Sequence, residues 1–335
     1  MTARLLMPLA LAALVLAGCG AKSESPAPDA SGTTTSAAKL RLAVIPKGST
    51  HEFWKSVKAG ADEAAAELGN VEVIWKGPQK ENDREDQIKV VEDFVTQKVD
   101  GIVLAPLDDT ALRLPVTDAQ SAGIPVLIID SGLKEVDTVS FVATDNFAAG
   151  KKGGEHLVAS LGEGPKKVIL LRYQEGSAST REREEGFLEA LKAASNITII
   201  SQEQYAGATV ETAQLAAENL LQRFPEFDGV ACPNESSTFG MLLALQDAGK
   251  AGKVKFVGFD MTAKLLDALN AGQIDGLVVQ NPQRMGYLGV KQLAEHISDV
   301  KGLNISRKLQ PKRVDTGSVL VTKDNLTDPE VAKVI

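Results

Sequence analysis

The chain has 335 residues, 44 of them Asp or Glu against 36 Lys or Arg, for a formal net charge of −8 at pH 7. At roughly 100–200 residues per domain this length predicts two domains, and the acidic balance leaves no electrostatic footprint for a phosphate backbone, which argues against nucleic acid as a partner. Two cysteines and three histidines argue against a disulfide framework, a thiolate metal site or a His-rich metal centre, so stability has to come from a packed apolar core.

The first segment reads as an export signal. Arg4 supplies a positive charge, Leu5 to Gly18 is apolar, and small residues precede Cys19. The stretch is too short to span a bilayer, which needs about 20 apolar residues. Leu16-Ala17-Gly18-Cys19 resembles the bacterial lipobox, which implies removal of residues 1–18 and lipidation of Cys19; the plainer alternative is an ordinary signal peptide cut nearby. Acyl chains contribute about 0.8 kcal/mol per buried CH₂, so an acylated Cys19 would anchor an extracytoplasmic protein to a lipid bilayer without a spanning helix. Residues 19–39 are small and polar and are broken by Pro26 and Pro28. They predict a flexible tether, with the folded body starting near Leu40.

From there, short apolar runs alternate with longer segments of helical period. RLAVIP from Arg41, VEVIW from Val71, GIVLAP from Gly101 and IPVLIID from Ile124 read as buried strands. Between them Phe53, Val57, Ala61, Ala64 and Leu68 share one helical face, as do Ile88, Val91, Val95 and Val99. The rhythm repeats with KKVILL from Lys166, ITIIS from Ile197, DGVACP from Asp228, VKFVGFD from Val254 and DGLVVQ from Asp275. Strand, helix, strand at this spacing is the signature of parallel βαβ units. The duplicated spacing predicts an α/β protein of two doubly wound parallel-sheet lobes, because one continuous core would exceed the size at which chains split into domains.

In open parallel sheets the ligand crevice lies beyond the carboxyl ends of the strands. The fourth strand of each half ends in an aspartate, Asp130 and Asp260, and each first helix opens with large or charged groups: His51, Glu52, Phe53 and Trp54 in one, Thr180, Arg181, Glu182 and Arg183 in the other. An Asp after a strand most often caps the next helix, but the paired occurrence favours a shared interlobe site. Phe53 and Trp54 can stack on the C–H face of a sugar, though one of them is expected in the core. Asn234 and Gln280 carry both a donor and an acceptor, as recognition of a diol requires, and either could instead satisfy loop backbone groups. Arg181 on its own reads as a solvated helix face. His51 is the one histidine in a predicted site loop. No nucleophile elbow, phosphate loop, dinucleotide loop or metal-ligand spacing accompanies these positions, so neither a catalytic set nor a cofactor is expected.

At these residues the chain resembles the ribose and galactose branch of the bacterial periplasmic sugar-binding proteins, the type I fold of solute-binding components of ATP-driven (ABC) importers. The resemblance covers about residues 40–322 and is carried by HEFWKSVKAGADEAAAELG at His51, TDNFAAGKKGGEHL at Thr144, SASTREREEGF at Ser177, CPNESSTFGMLLALQDAG at Cys232, FVGFDMT at Phe256 and VVQNPQRMGYLGV at Val278. It implies stacking aromatics at Phe53 and Trp54 and polar sugar contacts at Asp130, Arg181, Asn234, Asp260 and Gln280, which promotes Arg181. Ser131 stands where ribose binders have an arginine, and Ala105 and His51 where they have asparagines. Those departures put ribose itself in doubt and leave a monosaccharide or related polyol as the expected ligand class.

The resemblance also implies a three-segment hinge, near Ala143 to Asp145, Gln280 to Pro282 and Val314 to Thr316. Lobe one would then be residues 40–143 plus 281–314, lobe two 144–280 plus 315–322, and 323–335 a tail. It further implies a monomeric, non-enzymatic component that captures a sugar by hinge closure and delivers it to ABC permease subunits. The alternatives are a sugar-sensing receptor for a sensor kinase or chemoreceptor, and a binder of some other small polar solute.

Overall fold

A computed structural model describes residues 39–303 and 312–332. The expected export segment, the lipidation at Cys19 and nearly all of the tether lie outside the described residues. In the first half, β1 (Leu40–Ile45), α1 (Glu52–Leu68), β2 (Val71–Trp75), α2 (Arg84–Thr96), β3 (Gly101–Leu104), α3 (Arg113–Ser121), β4 (Val126–Ile129) and β5 (Ser140–Ala143) follow one another. The second half repeats the pattern with α4 (Asn146–Leu161), β6 (Lys166–Leu170), α5 (Ala178–Ala193), β7 (Ile197–Ser201), α6 (Val210–Arg223), β8 (Gly229–Ala231), α7 (Glu235–Asp247), β9 (Lys255–Phe259), α8 (Ala263–Asn270) and β10 (Gly276–Gln280). Then α9 (Pro282–Leu303), β11 (Lys312–Asp315) and β12 (Ser318–Val321) return to the two halves in turn.

The strands form two six-stranded sheets, ordered β11-β5-β4-β3-β1-β2 and β12-β10-β9-β8-β6-β7. All pairings are parallel except β10 with β12. The continuous apolar runs are explained by burial on both faces. Leu42 and Val44 of β1 join Val103, Leu127 and Ile129 under α1 and α9. Their alternates Ala43, Ile45, Ile102, Leu104, Val126 and Ile128 pack under α2 and α3. The second sheet is covered likewise, by α4 and α5 on one face and by α6, α7 and α8 on the other. In both sheets the order reverses beside the first strand, which puts a topological switch point at the carboxyl ends of β1 and β6.

Several local details differ from the sequence expectation for identifiable reasons. The β4 ladder begins at Val126 rather than Ile124, because Pro125 has no N–H to donate. In α2 the inward face is Gln87, Val90, Val91 and Phe94, with Ile88 and Val95 only partly buried. Gln87 is buried because its amide reaches Pro46 O at 3.0 Å, Ala105 O at 2.8 Å and the Leu107 N–H at 2.8 Å, tying together the loops after β1 and β3. The described part of the expected C-terminal tail is not free: Val331 is buried in the core between the second sheet and α6, α7 and α8.

The chain passes between the sheets around Thr144–Asp145, at Asn281 and at Thr316–Gly317. Each lobe also contains helices in near backbone contact. A Cβ at Gly60 would lie 1.8 Å from Gln283 O where α1 meets α9, and one at Gly150 would lie 2.0 Å from Arg183 O where α4 meets α5. The second contact fixes the backbone of a residue central to the site.

Candidate functional site

The carboxyl ends of the two sheets face each other. Asp130 follows β4 and Asp260 follows β9, and both take a left-handed backbone conformation, φ 62° and 65°. Their amides make the same contact in each lobe, Asp130 N–H to Val142 O and Asp260 N–H to Val278 O. Neither caps the helix that follows it: the chain after Asp130 runs on to β5, and α8 is capped by Thr262. A left-handed non-glycine residue is uncommon. Here it occurs twice at equivalent positions and turns each carboxylate into the space between the lobes, onto a cavity of about 30 Å³ lined by both.

On the lobe-one side, Glu81, in the loop after β2, is the hub. Its Oε1 accepts from Trp54 Nε1 at 2.5 Å and lies 2.7 Å from His51 Nδ1, while Oε2 accepts from the Tyr173 hydroxyl at 2.5 Å. Burial alone would favour the neutral acid, but His51, Lys47 and the Tyr173 hydroxyl outweigh it and hold the Glu81 carboxyl well below its ordinary range. Burial likewise opposes a charged imidazole, yet Glu81, backed by Glu235 and Asp260, raises His51 far enough for it to be an imidazolium at neutral pH. Lys47, just past β1, lies 2.7 Å from Asp130 Oδ2 and donates to Ser179 Oγ at 3.0 Å. At Ser131, where the sequence lacks an arginine, the hydroxyl instead accepts the Ser179 N–H, and Lys47 supplies the cation beside Asp130.

On the lobe-two side, Asp260 Oδ1 accepts from Gln280 Nε2 at 2.7 Å and Oδ2 from the Glu235 N–H at 2.9 Å. Burial raises its carboxyl above the ordinary value, against the pull of Arg183 and Gln280. Gln280 Oε1 accepts from Thr144 Oγ1 at 3.0 Å. Asn234 both lines the cavity and caps α7, its Oδ1 accepting from the Ser237 N–H. Arg183 donates from Nε to Asn146 Oδ1 at 2.8 Å and from Nη1 to Pro233 O at 3.0 Å, with its guanidinium 4.6 Å from the centre of the Phe259 ring.

Of the residues expected from sequence, His51, Phe53, Trp54, Asp130, Asn234, Asp260 and Gln280 line this one cavity. Phe53 is half-buried and Trp54 is 3% exposed; their rings meet edge to face at 4.9 Å. Arg181 is not among the lining residues. Its guanidinium pairs with Asp109 at 2.7 Å, outside the cavity, and Arg183 occupies the place expected for it. The reason is helical phase: at 100° per residue, positions two apart point to opposite sides, and α5 turns Thr180, Arg183 and Phe187 inward. Lys47, Glu81, Tyr173 and Glu235 are lining residues that the sequence reading left out, and Arg183, named there only as part of a helix opening, is another that was not assigned a ligand contact. Lys47 and Tyr173 lie just past the first strand of each half, so the strand-end rule, applied to those strands as well, finds them.

Three lining groups keep unused bonding capacity while buried: Arg183 Nη2, Asp130 Oδ2 and His51 Nδ1 have no aligned hydrogen-bond partner, although the last two are close to an opposite charge. Arg183 Nη2, which has no such neighbour, costs about 1–3 kcal/mol when left unsatisfied, a cost that a polar guest would remove. Among the described residues no group of His, Cys, Asp and Glu could hold a metal ion.

The model of the periplasmic binding protein domain matches residues 42–301. The chain belongs to the periplasmic binding protein family. Among its relatives, the D-allose-binding periplasmic protein of Escherichia coli (strain K12) is 31% identical over 298 residues, covering 87% of this chain and 94% of that protein. The ribose import binding protein RbsB of the same organism is 31% identical over 258 residues, 76% of this chain and 83% of that protein. A carbohydrate transporter solute-binding protein from Agrobacterium radiobacter, solved in complex with D-arabinose, superposes with a TM-score of 0.82 at 33% identity, over 90% of this chain and all of that one. The fold of this periplasmic binding protein is accordingly the type I arrangement of two parallel-dominated α/β lobes.

Proposed function

We propose that the chain is the extracytoplasmic solute-binding component of an ABC importer, a monomer that captures a small uncharged sugar or polyol between its lobes and is not an enzyme. The observation that carries this reading is one cavity fed by both lobes and lined by polar groups of each, among them the unpartnered Arg183 Nη2 and the ion-paired Asp130 and His51. They ask for a guest offering donors and acceptors at once, as vicinal hydroxyls do. The lining charges are of both signs, with Lys47, His51 and Arg183 against Glu81, Asp130, Glu235 and Asp260, so a neutral guest finds both donors and acceptors without itself carrying a charge. Phe53 and Trp54 supply apolar surface for its C–H face.

The closed cleft has room for only a few waters, so entry requires the lobes to part. The hinge is formed by the three crossings around Thr144–Asp145, Asn281 and Thr316–Gly317. Closure favours the loaded form because Asp130 and His51 are on one lobe and Arg183, Asp260 and Gln280 on the other, and a ligand shifts such an equilibrium only through contacts stronger in the closed form. The relatives' named sugars, D-allose, D-ribose and D-arabinose, define the first panel, to be extended to other pentoses, hexoses and polyols. Calorimetric titration is expected to find one neutral member that binds one to one, at a micromolar constant or better. Binding of only charged solutes would overturn the sugar reading. Lipidation of Cys19 would tether the capture domain near its permease; mass spectrometry of the protein from membranes, with Cys19→Ala as comparison, tests it through the presence or absence of an acylated N-terminal cysteine.

A further inference from the structure

Glu235 is the first residue of α7 in lobe two, yet its carboxylate is bound to lobe one. Oε1 accepts the Glu52 N–H and Oε2 the Phe53 N–H, both at 3.1 Å. These are the opening amides of α1, a helix whose own N-cap residue, His51, makes no side-chain cap. The first N–H groups of a helix have no partner within the helix, and a negative charge there is favoured by the helix dipole. Glu235 therefore does across the cleft what an N-cap side chain does within one chain segment. One of the two amides belongs to Phe53, whose ring lines the cavity.

We propose that Glu235 is a positioning residue for capture: by capping α1 from the opposite lobe it holds the closed form, fixes the Phe53 ring beside the ligand, and makes closure depend on protons. The proposal rests on the closing-cleft reading above. The charged groups facing Glu235 are His51 in the loop before α1, Glu52 and Lys55 on α1, Asp260 at the end of β9, and Arg183 on α5, with Glu81 behind His51. Burial first, and then Asp260, raises the Glu235 carboxyl to about 7 in the closed form, against the pull of His51 and the two amides. With the lobes apart it would stand at a solvated helix end with an ordinary carboxylate value of about 4.3. Its pKa is higher closed than open, so closing takes up a proton between those values. Closure is thus favoured as pH falls from about 8 towards 5 and loses that help as pH rises through about 7. Asp260 is also raised and acts in the same direction, whereas His51, against its burial, is raised chiefly by Glu81 on its own lobe, a contact that does not depend on closure. Glu81 is depressed and acts only in the acid range.

For a single group with those two values the closure constant is about tenfold larger at pH 6 than at pH 8. The test uses the full chain, wild type and Glu235→Gln, with small-angle X-ray scattering of the ligand-free protein from pH 5.5 to 8.5, and calorimetry against D-allose, D-ribose and D-arabinose over the same range. The wild type is expected to become more compact, and to bind more tightly, at the acid end. Glu235→Gln, with no titrating carboxyl, is expected to lose about tenfold of that pH dependence, which separates a proton-linked role from mere packing. Glu235→Ala is expected to populate the open form more than the wild type at the acid end of the range, below about pH 7, and to lose exchange protection at the Glu52 and Phe53 amides. Equal pH slopes in wild type and Glu235→Gln would overturn the proposal. pH-dependent compaction without binding of any sugar would sink the sugar reading and leave the role of Glu235 standing.

Discussion

Replacing Arg183 by Met should damage both stability and capture, whereas replacing Arg181 should do little to either. The Arg183 side chain is buried and donates to Asn146 Oδ1 and Pro233 O. Met fills much of the volume but leaves both acceptors without their donor, at about 1–3 kcal/mol each. It also removes the cation that offsets the burial of Asp260. The expected loss of folding stability is therefore about 2–5 kcal/mol, measured by urea denaturation followed by circular dichroism. Losing the unpartnered Nη2 removes a charged donor to the ligand, about 1.5–3 kcal/mol, which is roughly ten- to a hundred-fold in Kd by calorimetry. Arg183→Lys keeps the charge without the planar fork and should recover part of the stability but not the affinity, so the binding arm survives if the Met variant fails to fold. Arg181 has a side chain 36% exposed and shares Asp109 with Lys134; Arg181→Met should cost no more than about 1 kcal/mol. A larger loss of affinity for Arg181→Met than for Arg183→Lys would refute the assignment.

Tyr173→Phe removes the hydroxyl that joins lobe two to Glu81; the closed form should weaken by about 1.5–3 kcal/mol, read as a larger ligand-free radius of gyration and a weaker Kd. Gly60→Ala puts a methyl 1.8 Å from Gln283 O; where an ordinary helical Gly to Ala change stabilises by roughly 0.5–1 kcal/mol, this one should destabilise by about 1–3 kcal/mol or more through overpacking, and a raised Tm would contradict the α1 and α9 contact. Glu81 has a folded pKa below its unfolded one, so its stabilisation is complete above the unfolded value and is lost as pH falls towards about 2. Glu81→Gln should flatten that acid limb of the stability profile.

The lobes and their strand ends were legible because parallel strands buried on both faces write themselves as uninterrupted apolar runs. β1 sends Leu42 and Val44 one way and Ala43 and Ile45 the other, all into core. Asp130 and Asp260 were legible for the same reason, as the first polar residue after such a run. β5 was not, being four residues bounded by loops, and neither was the phase of α5. TREREEG offers two arginines on opposite sides of one helix, and the packing of α4 on α5, at Gly150 on the Arg183 backbone and at Gly186 on Phe147 O, decides which one faces in. Glu81 carries no sequence signal at all: its loop has no motif, and its role comes from His51, Trp54 and Tyr173 converging on it from distant parts of the chain. Lys47, one residue past the apolar run of β1, drew no expectation from the sequence, yet it supplies the charge that the serine at 131 does not.

The most direct measurement is small-angle X-ray scattering of the purified chain as the sugar and polyol panel is titrated in, paired with calorimetry on the same samples. A shared cleft that closes on a neutral guest requires one member to shrink the radius of gyration in step with one-to-one heat, and requires Asp260→Ala to abolish both while the protein stays folded. Heat without compaction, or undiminished affinity in Asp260→Ala, would contradict it.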